Sequence, residues 1–180
     1  VLCDYKVITI RVSKAEIERL IIANEFTKAS GQKFSFSEDA ATIASLIAFR
    51  KLSREKGIKH AISFHKSIKR AKEFTDLNNS LDKFLDEKEE ISAFHVSGKM
   101  SMGERHLQIE KFLGASPSVI SNARCLTEGV DLPAVDAVIF ADPKQSLIDI
   151  VQASGRAMRT HGSKKLGYII IPVVINYEGT

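Results

Sequence analysis

Leu126-Thr127-Glu128-Gly129-Val130-Asp131-Leu132-Pro133 is one of two dense stretches around which this chain is organised. The other is Gln152-Ala153-Ser154-Gly155-Arg156-Ala157-Met158-Arg159. Between them lies Ala137-Val138-Ile139-Phe140, a short apolar run that reads as a buried strand. The second stretch falls late in a helical pattern that starts near Ser146. With Gln152 at zero on a helix turning about 100° per residue, Arg156 falls at about 40° and Arg159 at about 340°. Leu147, Ile150, Val151, Ala157 and Met158 fall between about 140° and about 260°. One face is therefore apolar, and the opposite face presents an amide and two guanidiniums. Arginines spaced i, i+3 repel each other, which a solvated face tolerates and a polyanion turns to use. In the first stretch Gly129 permits a tight turn, Asp131 follows two residues later, and Pro133 ends any helix. A loop carboxylate and two helical arginines are thus separated by one strand and one loop. In an open α/β sheet such loops gather at the carboxyl ends of the strands, where ligands bind.

Outward from this core, strand and helix periods alternate. Tyr5–Val12 alternates and is rich in β-branched residues, as a strand requires. Ser13 with Glu16 reads as a capping box opening a helix over Lys14–Thr27. Ala29–Ser37 reads as a loop. Glu38–Lys56 is a second helix with Ile43, Leu46, Ile47 and Phe49 towards the core, and Gly57 its C-cap. The basic end of that helix, Arg50–Lys56, is explained largely by the favourable placement of cations near a helix C-terminus. His60–Phe64 is a short buried strand, His65-Lys66-Ser67 a turn, and Ile68–Leu77 a helix, with a further short helix over Leu81–Glu87. Ile91–Val96 is a strand, and Ser101 with Glu104 forms a capping box for a helix over Gly103–Phe112. Ser118–Ser121 leads into the first dense stretch. Gly167–Val174 is a last strand, in which Pro172 suits an edge position or a bulge. Buried strands alternating with helices imply an α/β fold with a mainly parallel sheet and helices on both faces.

Bulk properties set the outer bounds. At 180 residues, 44% hydrophobic and 27% charged, the chain suits one globular domain with a sizeable core. A net charge of +4 permits a polyanionic partner without requiring one. Cys3 and Cys125 are too few for a disulfide framework, so a reducing cytoplasm is the expected setting. No apolar run is long enough for a membrane span. The start at Val1 and the strand-like end lead us to expect a fragment of a longer protein.

Glu128-Gly129-Val130-Asp131-Leu132-Pro133 resembles motif V of superfamily II helicases, and Gln152-x-x-Gly155-Arg156-x-x-Arg159 resembles their motif VI. Gly129 and Gly155 stand 26 positions apart, in the expected order and with a strand between. The likeness is to DEAD/DEAH-type helicases and to the motor subunits of restriction systems. It covers about Ile58 to Val174 and only loosely the first fifty residues. It implies a RecA-like three-layer sandwich, the second of the two such domains in a motor. Residues 1–57 would lead into the domain and 58–180 would form it. Arg156 and Arg159 would then be arginine fingers reaching ATP phosphates across an interdomain cleft. Gln152, Gly129 and Asp131 would face the nucleotide with them. ATP with Mg²⁺ would be held mainly by a first RecA-like domain of the same protein. Three loops would meet DNA, with RNA an open alternative: His65-Lys66, Ser97-Gly98-Lys99, and Asn122 with Arg124 and Thr127. The second of these precedes a capped helix N-terminus, a ready anion site. The DEAD-box pattern places a threonine six positions before the motif glycine. Here that position is Ala123, leaving Asn122, Arg124 or Thr127 for the contact.

The sequence has no Gly-x-x-x-x-Gly-Lys-Ser/Thr loop and no Asp-Glu box for magnesium, so it carries the arginine half of an ATP site. His60, His65, His95, His106 and His161 show no metal-ligand spacing with the cysteines. The leading expectation is the second motor domain of an ATP-dependent DNA helicase or translocase, inactive when isolated. Two alternatives stand beside it. One is a nucleic-acid-binding or scaffold module that kept the fold but not ATP turnover. The other is a nuclease using Asp131, Asp136 and Asp142.

Overall fold

The computed structural model describes residues 4–24, 31, 33, 36–81, 90–123, 125–126, 135–142, 155 and 166–176. The strands are β1 (Asp4–Ser13), β2 (His60–Phe64), β3 (Ser92–Val96), β4 (Ser118–Asn122), β5 (Ala137–Phe140) and β6 (Leu166–Ile175). The helices are α1 (Lys14–Asn24), α2 (Phe36–Lys56), α3 (Ile68–Leu81) and α4 (Met102–Gly114). Among the described residues six strands form one sheet in the order β1-β6-β5-β2-β4-β3, and each of these pairings is parallel.

Period-two alternation sends successive side chains to opposite faces, and both faces are buried. Ala61, Ala93, Val119, Ala137, Ile139 and Ile170 face one side, packed with Ile17 of α1, Leu46 and Phe49 of α2, and Phe74 and Leu77 of α3. Ile62, Val96, Ile120, Val138, Phe140 and Ile169 face the other, packed with Phe112 of α4. Small residues on the first face let three helices approach closely. The result is a three-layer α/β sandwich of the RecA-like kind.

Local chemistry sets the element ends. The N–H of Glu16 donates to Ser13 Oγ at 3.1 Å, while the Glu16 carboxylate pairs with Lys51 of α2 at 2.9 Å. Gly57 takes φ +63° and donates its N–H to Ser53 O, closing α2 as a left-handed cap. At α4 the capping box is complete: Ser101 Oγ accepts from Glu104 N, and the Glu104 carboxylate accepts from Ser101 N.

Several boundaries differ from the sequence expectation. α3 continues to Leu81, because Asn78 is fully buried, donates to Ile91 O and accepts from Arg50. Tertiary hydrogen bonds there outweigh the weak helix propensity of Asn and Ser. The short helix expected from Leu81 therefore begins at a residue that ends α3, and its remainder lies outside the described residues. β6 is not an edge strand: β1 pairs with it along its whole length, Asp4↔Leu166 to Ser13↔Ile175. Pro172 is accommodated for another reason. Tyr168 N donates to Asp136 O, so strand alternation turns the nitrogen of residue 172 to the same side. That position lies past Ile139↔Ile170, the last β5 pair, where no ladder donor is needed.

Candidate nucleic-acid and nucleotide interface

Register places the candidate loops side by side. Asn122 pairs with Phe64 of β2 and with Val96 of β3, and Phe64 pairs with Phe140 of β5. His65–Ser67, Ser97–Lys99, Ala123 and Ala141–Asp142 therefore leave the sheet together along its carboxyl edge. This is the edge where open α/β sheets bind ligands.

The structure divides the expected contact residues into two groups. His65, Ser97 and Asn122 have buried side chains, at 1%, 3% and 0% exposure. His65 packs its ring on Phe74, with 4.9 Å between centroids, and shares a 3.0 Å hydrogen bond between Nε2 and Ser63 Oγ. Its backbone N–H donates to Asn122 O at 2.9 Å. Asn122 donates from Nδ2 to Ser63 O at 3.2 Å and accepts from Leu126 N at 3.4 Å. The His65 and Asn122 side chains hold their loops to the sheet, and all three residues are turned away from solvent. Lys66, Gly98 and Lys99 are exposed. The α4 N-terminus beside Lys99 already carries the Glu104 carboxylate. Hydrogen bonds from Ser101 hold that group below the ordinary glutamate value, so an incoming phosphate meets a negative charge there.

Arg124, Thr127, Gly129, Asp131, Gln152, Arg156 and Arg159 lie outside the described residues. Gly155 is helical and half-buried, and a Cβ there would meet nothing within 4 Å.

Two aspartates flanking β5 do work that the sequence did not reveal. Asp136 Oδ2 accepts from Lys59 N and His60 N at 2.9 and 3.1 Å, at the amino edge of the sheet. Asp142 Oδ2 accepts from Lys66 N at 2.7 Å, at the carboxyl edge. Two of the three carboxylates of the nuclease alternative, Asp136 and Asp142, thus stand at opposite ends of one strand, each engaged with backbone. Among the described residues there is no group of three or more potential metal-ligating side chains, and no helix is long and apolar enough to cross a membrane.

Beneath the carboxyl edge lies a polar network. Ser121 Oγ donates to Ala71 O at 2.8 Å, shares a 2.7 Å hydrogen bond with Thr75 Oγ1, and meets His95 Nδ1 at 3.1 Å. His65 Nδ1 and His95 Nε2 are buried without a hydrogen-bond partner. Burial pushes His65 down to about 3, reinforced by His95 and the Arg70 guanidinium. His95 is pushed down to about 4 by burial and then by Lys72, with Ser121 opposing. Both rings are therefore neutral packing elements at physiological pH.

An all-parallel, helix-flanked sheet with loops gathered at its carboxyl edge defines a RecA-like domain. Residues 38–161 match the helicase conserved C-terminal domain, and the chain belongs to that family. The DNA-bound ATP-dependent type ISP restriction-modification enzyme LlaBIII aligns over 99% of this chain and 12% of its own, with 27% identity and TM-score 0.74. Domain 2 of the DEAD-box helicase Mss116p, bound to an RNA duplex, aligns over 97% of this chain and 55% of its own at TM-score 0.52. At 17% identity that second likeness shows the fold alone. The "51.5 kDa protein" of a Lactococcus phage is 31% identical over 124 residues, 69% of this chain and 24% of the phage protein. The chain spans no more than 24% of the length of the curated relatives it matches.

Proposed function

We propose that this chain is the second motor domain of an ATP-dependent DNA helicase or translocase. In that role it supplies arginine fingers and part of the nucleic-acid track. The observation that carries the reading is the helicase C-terminal match over residues 38–161, a range that includes both dense stretches. The residue set suits a nucleoside triphosphate: two guanidiniums for phosphate oxygens, an amide at Gln152, and at Asp131 a carboxylate that can accept from a ribose hydroxyl. ATP with Mg²⁺ would be held mainly by a partner RecA-like domain and would supply the phosphoryl group. The part of this chain is positioning and charge stabilisation, which dominate phosphoryl transfer. On the nucleic-acid side, Lys66 and Lys99 are exposed cations among the described residues of the edge loops, and their natural partner is the DNA backbone.

Binding and turnover measured on one preparation of the complete protein test this. Single-stranded DNA is titrated at several salt concentrations against wild type, Lys66→Ala and Lys99→Ala, and ATP hydrolysis is followed with and without DNA. DNA should stimulate hydrolysis, and each alanine variant should lower the logarithmic salt slope by about one unit. Intact binding without stimulated turnover would leave the scaffold reading in its place. Identical slopes in all three proteins would remove the lysines from the track.

A further inference from the structure

The Lys66 loop is pinned at three points. From the β4 side, Asn122 O accepts the His65 N–H at 2.9 Å. From within, Ser67 Oγ accepts the Arg70 N–H at 3.2 Å and caps α3. From the β5 side, Asp142 Oδ2 accepts the Lys66 N–H at 2.7 Å, with Ala141 N donating to Phe64 O at 3.2 Å beside it. The third restraint stands out chemically. A half-buried carboxylate sits at an edge whose ligand is a polyanion, next to the exposed lysine expected to meet that polyanion. Its charge alone would oppose binding. What it provides in return is a short, charge-assisted hydrogen bond that fixes the backbone from which the Lys66 side chain projects.

We propose that Asp142 is a positioning residue for nucleic-acid binding: it sets the Lys66 loop and acts through Lys66, without touching the nucleic acid. This inference rests on the nucleic-acid role proposed for Lys66.

A double-mutant cycle on the complete protein tests it. Single-stranded DNA affinity and its salt dependence are measured for wild type, Asp142→Asn, Asp142→Ala, Lys66→Ala and Lys66→Ala/Asp142→Ala, with a melting curve on each. Asp142→Ala should weaken binding about three- to tenfold and lower the salt slope by about one unit, as Lys66→Ala does. The double variant should be no weaker than Lys66→Ala alone, because the two residues act as one unit. Asp142→Asn keeps an acceptor oxygen and should stay within about twofold of wild type. A merely structural role would lower the melting point without changing the slope. Tighter binding by Asp142→Ala, or additive effects in the double variant, would overturn the inference while leaving the Lys66 contact standing. An unchanged slope in Lys66→Ala would overturn both.

Discussion

Arg156→Ala and Arg159→Ala are each expected to lower DNA-stimulated ATP hydrolysis by about 10³- to 10⁵-fold in the complete protein, with melting temperature and DNA affinity nearly unchanged. On the helix expected from the sequence, Gln152, Arg156 and Arg159 would fall within about 60° of one another, opposite the apolar face. Residues on such a face change stability by less than about 0.5 kcal/mol when truncated. Their effect is therefore concentrated in turnover, where a guanidinium meets the charge that spreads over the transferring phosphoryl oxygens. Arg→Lys variants should rescue poorly, since an ammonium cannot reproduce the planar, bidentate fork. Steady-state hydrolysis paired with a melting curve on each variant decides the matter. Turnover surviving in both alanine variants, or unfolding of both, would make this stretch structural.

Acid should destabilise the domain well before its carboxylates dominate. His65 and His95 are held near 3 and near 4 in the folded state, against 6.5 for the free side chain. A depressed histidine pKa means that the unfolded chain binds protons the folded chain refuses, so stability falls as pH drops through 6.5. At pH 5 the loss from His65 is on the order of 2 kcal/mol, and His95, partly screened by solvent, adds in the same direction. That is a sizeable part of the about 5–15 kcal/mol that holds a typical domain together. His60, also depressed by burial, adds in the same direction at the opposite edge. Denaturant titrations at pH 7.5, 6 and 5 measure the loss, and His65→Gln/His95→Gln should flatten the acid limb. A stability independent of pH over that range would show that the two rings charge without cost.

The strands β2 and β5 were legible to the residue because each is a short apolar run between turn-forming residues, and helix α4 because its capping box fixes one end. What was not legible is non-local. Nothing in Tyr5–Val12 announces that it pairs with the last strand of the chain, and that pairing places Pro172 inside the sheet. The burial of His65 and Asn122 was hidden in the same way. Both are polar residues after a strand, a pattern that suits a binding loop and a loop anchor equally. Register and the facing groups Ser63, Phe74 and Leu126 choose the anchor for their side chains. Asp142 does carry a local signal: an aspartate before Pro143 at the end of a strand is a turn residue whose carboxylate can accept a backbone N–H, though which one is not written in the sequence.

The claim that this chain holds the arginine half of an ATP site completed elsewhere is tested most directly by phosphate release from the purified 180-residue chain alone. The chain is given ATP, Mg²⁺ and single-stranded DNA, and the complete protein is run beside it. The expected result is stimulated turnover in the complete protein and none above background in the isolated chain. Robust DNA-stimulated hydrolysis by the isolated chain would contradict the half-site.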